Sequence, residues 1–265
     1  MKEYYEKCIR IYDDYRSFIP SYAPPALAYY LLLILVPAFS LIAIGTSILN
    51  IDMTIVETLI TRYIATDYST MFIELMKSRT INTVAYITII LSFYAVSRGV
   101  GNIYAVSKNM YPIDIEENFI RYYIYTFKVT FLLLVLFIGI IAAMAIGPLA
   151  YIFNILYSFF GIRHILLYFL MVICLMTIYK IVPRIHIHIF DAFQGGLVAS
   201  VLMLILYYGL NIYFQFANFQ TVYGPLALII MVLFVFDLVA EVFYIGMYMT
   251  YLLHKRRVED EKRES

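Results

Sequence analysis

Asp237 and Glu241 lie four residues apart inside one long apolar run, TVYGPLALIIMVLFVFDLVAEVFYIGMYMTYLL at residues 221–253. On a helix that spacing puts both carboxylates on one face. The run exceeds the roughly 20 residues that a bilayer crossing needs. A charge at such depth costs about 3 kcal/mol or more, so each acid should face protein or water and have a partner. Arg98 is the one strongly basic residue inside another apolar run, at 81–106. Arg98, Asp237 and Glu241 are therefore the candidate substrate- or ion-binding residues, suited to an ion, a proton or an anionic headgroup. A salt bridge that only fixes helix packing accounts for the same three residues.

A second pattern invites a metal. Residues 184–191 read Arg-Ile-His-Ile-His-Ile-Phe-Asp, with two histidines and an acid at short spacing. An Ile intervenes at each step and no third His follows closely, so an interfacial turn is the preferred reading. No metal and no cofactor are expected. Phosphate-binding glycine loops and Ser/His/Asp sets are absent, so no catalytic residue is nominated and the chain is not expected to be an enzyme.

The elements that must position these residues are membrane helices. The 265 residues are 63% hydrophobic and 14% charged, against about 25% charged in a soluble domain. The apolar runs are continuous rather than alternating, which excludes a β-barrel. A net charge of +1 offers no basic field for nucleic acid. Cys8 and Cys174 are expected to be free thiols, and 27 Tyr with no Trp must supply the interfacial belt.

The expected fold is all-α: a polytopic membrane protein of six transmembrane helices, both termini cytoplasmic, with short amphipathic helices at the N-terminus and in the first outer loop. Residues 1–25 form an interfacial segment, with Tyr5, Ile9, Tyr12 and Ile19 near one stripe of an amphipathic helix that Pro20 ends. Residues 26–253 form the six-helix bundle in a single membrane domain. Its spans fall near 26–49, 81–106, 128–150, 165–182, 190–216 and 221–253, and residues 254–265 are a charged tail. The outer loop at 50–80 is a brace or a lid, the brace being preferred. Pro37 and Pro225 are the expected kinks.

Orientation follows from the basic residues. With the N-terminus inside, 14 of the 19 Lys and Arg fall in cytoplasmic segments and 4 in outer ones, Arg98 being the remaining one. At about 1.5 Å per residue, Arg98 then lies roughly 25 Å from the outer ends, Asp237 roughly 22 Å and Glu241 roughly 28 Å. A bridge from Arg98 to the acids is possible if the second and sixth helices are neighbours. Gly99, Gly101, Gly195 and Gly196 are the expected helix-packing positions. The polar and aromatic tail of the fifth span, from Tyr207 to Gln220, lines a vestibule or marks the interface, the interface being preferred.

Several stretches resemble one family. They are Ala28-Tyr29-Tyr30 followed by Val36-Pro37, the segment from Tyr94 to Asn102 with Tyr104 and Asn109-Met110-Tyr111, and Ile181-Val182-Pro183-Arg184 with Asp191-Ala192-Phe193 and Gly195-Gly196. Tyr223-Gly224 with Leu226-Ala227 is the last. Together they resemble the YihY/BrkB family of bacterial inner-membrane proteins. The resemblance implies six helices, an inner-membrane location and no settled activity. Family members have carried a ribonuclease label, which these residues do not support, since a nuclease holds metal ions with clustered acids or histidines in water. One departure stands out: the family often ends its last helix with Gly-Ala-Glu, and here the residues are Gly246-Met247-Tyr248. The expected function is a small transporter or lipid translocase for an amphipathic or anionic substrate, with membrane lipids and a coupling ion as partners. The alternative is a non-transporting scaffold with structural buried charges.

Overall fold

The computed structural model describes residues 2–33, 83–111, 119–145, 162–216 and 227–264, and these are helical apart from short connections. Seven helices and no strand occur among them. They are α1 (Lys2–Phe18), α2 (Ala23–Leu33), α3 (Thr83–Met110), α4 (Phe119–Ala145), α5 (Ile162–Ile181), α6 (Ile189–Phe216) and α7 (Ala227–Glu264). The expected kinks at Pro37 and Pro225, and the brace at 50–80, lie outside the described residues. The chain divides into two compact units, residues 29–99 and the remainder.

α1 stops where the sequence predicts. Pro20 cannot continue the helix, and the chain turns so that Ala23 N–H reaches Pro20 C=O at 2.9 Å. Pro24 and Pro25 then occupy the first turn of α2, where a missing N–H costs nothing. The protein-facing side of α1 takes in only part of the expected stripe. Tyr15 and Ile19 are buried, whereas Ile9 and Tyr12 are exposed. The side that packs is the one carrying Tyr15 and Phe18, whose rings meet Tyr248 and Tyr251 of α7 at 5.0–6.1 Å. Aromatic surface facing α7 decides the rotation of α1, not the count of apolar residues per stripe.

Two helices extend beyond the apolar runs that define them. α4 begins at Phe119, so the polar-aromatic segment before the expected third span is already helical. α7 runs on through the charged tail to Glu264. Helix propagation adds one hydrogen bond per residue at little entropic cost, and Lys, Arg and Glu are good helix formers, so loss of hydrophobicity does not end a helix.

The best-packed part of the larger unit is the layer α5–α6–α7, in which α6 lies against both neighbours. Adjacent glycines serve its two sides. A Cβ on Gly195 would collide with Thr250 Oγ1 and lie 2.7 Å from Gly246 C=O, both on α7. One on Gly196 would lie 3.1 Å from Val172 C=O and Met176 N of α5. Gly246 is close in turn, its added Cβ 2.5 Å from Ala199 Cβ and from Tyr179 OH. The hydroxyls bond within the layer, Thr250 to Gly246 C=O, Ser200 to Gly196 C=O and Tyr179 to Phe243 C=O, so no polar atom blocks the close approach. On α3, a Cβ at Gly101 would lie 2.7 Å from Tyr122 OH, which donates to Gly101 C=O from α4.

α6 and α7 are long and apolar enough to cross a membrane, over Ile189–Phe214 and Ile229–Arg263. The outer face of α6 exposes Ile205, Tyr208, Ile212 and Phe216. An apolar outward face on a helix of that length is what hydrocarbon requires.

Candidate functional site

The polar groups of α7 fall into two clusters, each completed by another element. The first is built on Glu241. Arg16, one residue beyond the buried Tyr15, places Nη2 2.9 Å from Glu241 Oε1. Tyr15 OH donates to the same oxygen at 3.0 Å. The guanidinium is steadied by Nε donating to Tyr12 OH at 3.1 Å and by stacking near the Tyr12 and Tyr15 rings. Seven residues along α7, Tyr248 OH donates to Asp14 Oδ2 at 2.7 Å. Three consecutive residues of α1 thus engage α7. At position 248, where the resemblance suggests a glutamate, the carboxylate present is Asp14 from α1.

α3 secures the turn that delivers this arm. Asn102 Nδ2 donates to Ala23 C=O at 3.1 Å and to Tyr244 OH at 3.0 Å. Asn109 Nδ2 donates to Phe18 C=O at 3.3 Å, closing a carbonyl left open at the end of α1.

Burial, with the Glu241 carboxylate beside it, pushes the Tyr15 phenol well above its ordinary range. A phenol raised by folding stabilises the folded form below its unfolded pKa and ceases to do so as pH rises past it. The α1–α7 contact is therefore expected to hold up to about pH 10 and to weaken above it. Tyr15→Phe should diminish that alkaline transition, the Tyr248–Asp14 bond carrying what remains, while leaving neutral-pH docking within about 1 kcal/mol of the parent. The separation of spin labels on α1 and α7 against pH checks both.

Asp237 lies one turn from Glu241 on the same face. Its Oδ1 is buried, with no hydrogen-bond partner. Arg98 belongs to the other unit, where its Nε donates to Tyr94 OH at 3.2 Å and its guanidinium lies 5.5 Å from the Tyr94 ring. Each candidate residue is thus placed, and Glu241 receives its cation from α1.

The second cluster surrounds Asp191, 2% exposed at the start of α6. Arg257 grips it with a two-pronged contact, Nη2 to Oδ1 at 2.6 Å and Nε to Oδ2 at 3.0 Å. His254 Nδ1 stands 4.0 Å from Oδ2. In the connection before α6, His186 and His188 are exposed, and His188 Nδ1 accepts the Phe190 N–H. Among the described residues no three His, Cys, Asp or Glu converge as a metal ligand set.

The signal for these partners was faint. Arg16 is one of several charges on a short helix, and Arg257 sits in a basic triplet that suits headgroups equally well. Two acids within a span demand cations, but nothing in their spacing says which helix supplies them.

A helical fold with two helices long and apolar enough to cross a bilayer fits the class of membrane proteins. The family model described as Virulence factor BrkB matches residues 21–265, and the chain belongs to that family, YihY/BrkB. No curated protein and no solved structure matches the chain.

Proposed function

We propose that this protein is a six-span inner-membrane transporter or lipid translocase for an amphipathic or anionic substrate, with Asp237 as its ion or proton site. The observation that carries the proposal is Asp237 Oδ1, buried in a membrane helix with no donor. A carboxylate so placed is costly unless it takes up a proton or a cation during the working cycle. Arg98 meets the anionic headgroup in this scheme. The distribution of Lys and Arg supports an inside location for both termini, and the packing of α1 against the C-terminal half of α7 supports their lying on one side. No enzymatic step and no nucleic-acid partner enters the scheme.

A scaffold role is favoured by one specific observation, the closure of Glu241 by Arg16 and Tyr15. Liposomes carrying fluorescent lipids in both leaflets separate the two. With a membrane-impermeant quencher, the protein should make more lipid accessible than empty liposomes do. Arg98→Ala should lose that activity while still folding, and Asp237→Asn should lose its pH dependence. Lipid accessibility equal to that of empty liposomes under every ion gradient would select the scaffold.

A further inference from the structure

Two unmet polar atoms lie around the same stretch of α7, one a donor and the other an acceptor. Arg16 gives Nη2 to Glu241, but its Nη1 is buried with no acceptor. Asp237 Oδ1 is buried with no donor. The acids are four residues apart, so their carboxylates are separated by about one turn, roughly 6 Å along the helix. Arg16 sits on a long unbranched stem, and a guanidinium presents five donors in a fork that can face two carboxylates. Buried donors and acceptors are ordinarily paired, so an orphan donor on the partner of Glu241 and an orphan acceptor one helical turn from Glu241 point to an alternative arrangement of the same groups.

We propose that Arg16 is the shared counter-ion of the two α7 acids and passes from Glu241 to Asp237 when Glu241 is neutralised. The inference rests on the ion-site reading above and names the residue that regulates that site. In the arrangement seen, Arg16 covers Glu241 and leaves Asp237 open to a proton or cation. In the other, Arg16 covers Asp237 and the ion site is closed. α1 is thus a tethered cation that competes with the transported one. Tyr15 OH bonds only the Glu241 end, which favours the observed arrangement. Other titratable groups bonded within this cluster are Tyr12, which accepts from Arg16, and Asp14, Tyr244 and Tyr248. Asp14 is engaged by Tyr248 and Tyr244 by Asn102. Arg16 is the cation among them.

The test reads α1 docking rather than transport. Spin labels are placed on Ser17→Cys and Lys255→Cys, both exposed, in full-length protein with Cys8 and Cys174 replaced by Ser. Tyr248→Phe removes the Asp14 bond, so that Arg16 supplies the charged contact of α1 with α7 beside the Tyr15 hydroxyl and the ring contacts of Tyr15 and Phe18. Glu241→Gln should reduce the docked population by less than about twofold, because Asp237 takes over Arg16. Glu241→Gln combined with Asp237→Asn should reduce it about tenfold or more, well beyond the product of the single effects. Arg16→Gln should match that double variant, and the acid changes should add nothing to it.

Full release by Glu241→Gln alone would overturn the hand-over. So would a double variant that stays docked, or acid effects that persist without Arg16. Docking that ignores Asp237 while Asp237→Asn still abolishes pH-dependent transport would remove the hand-over and keep the ion site. Intact hand-over without transport would do the reverse.

Discussion

Gly195→Leu should prevent α6 and α7 from assembling, and even Gly195→Ala should lower stability by about 1–3 kcal/mol. The reason is the distance between backbones. An added Cβ at Gly195 meets Thr250 Oγ1 and Gly246 C=O, and neither can retreat freely. Thr250 is fully buried and its hydroxyl already donates to Gly246 C=O at 3.0 Å, while Gly246 C=O belongs to the α7 backbone. The helices must therefore part, and the contacts of Ala199 with Gly246 and of Tyr179 with Phe243 C=O part with them. Gly209 on the same helix is the control, because a Cβ there meets nothing within 4 Å. Gly209→Ala should be neutral or stabilise by up to about 1 kcal/mol through helix propensity. Thermal unfolding in detergent compares the two variants. Equal effects at 195 and 209 would mean that the close crossing contributes nothing.

Arg257→Ala should be more damaging than Asp191→Ala, although both break the same pair. Asp191 is at most 3% exposed, so removing its cation strands a carboxylate away from water, at a cost of about 3 kcal/mol. That figure lies at the low end of the range for broken buried pairs because the N-terminus of α6 partly compensates a negative charge. Arg257 is 36% exposed, so losing Asp191 lets its guanidinium turn to water. His254 does not replace Arg257, since its Nδ1 is 4.0 Å away and makes no hydrogen bond. Asp191→Ala with Arg257→Ala should recover part of the loss of Arg257→Ala alone, since no buried charge then remains. Melting temperatures of the three variants in one detergent decide the order. A milder effect for Arg257→Ala would place the stabilisation elsewhere.

Both outcomes bear on how α6 and α7 are joined, by a close glycine crossing along their length and an ion pair at one end. The arm from α1 then adds its own polar contacts to α7. The larger unit is thereby closed by residues far apart in the chain, Asp14 with Tyr248 and Asp191 with Arg257.

The sequence by itself determined the solvent and the elements. Apolar runs of bilayer length dictate helices, because a backbone in hydrocarbon must satisfy its hydrogen bonds internally. Pro20 sets the end of α1, and Pro24 with Pro25 the start of α2, because proline lacks an N–H and suits only a first turn. Asp237 and Glu241 were legible as residues in need of partners, because an intramembrane charge is expensive wherever it lies.

The partners themselves were decided only by tertiary structure. Arg16 and Tyr15 reach Glu241 because the aromatic side of α1 turns toward Tyr248 and Tyr251, an outcome of ring packing that the periodicity of α1 does not encode. Likewise Gly195 faces α7 and Gly196 faces α5, although in sequence the two are indistinguishable. Their directions differ by about 100° on the helix, so the rotation of α6 assigns one glycine to each neighbour. Rotation and partner choice depend on the summed fit of several helices, and that sum is not present in any one of them.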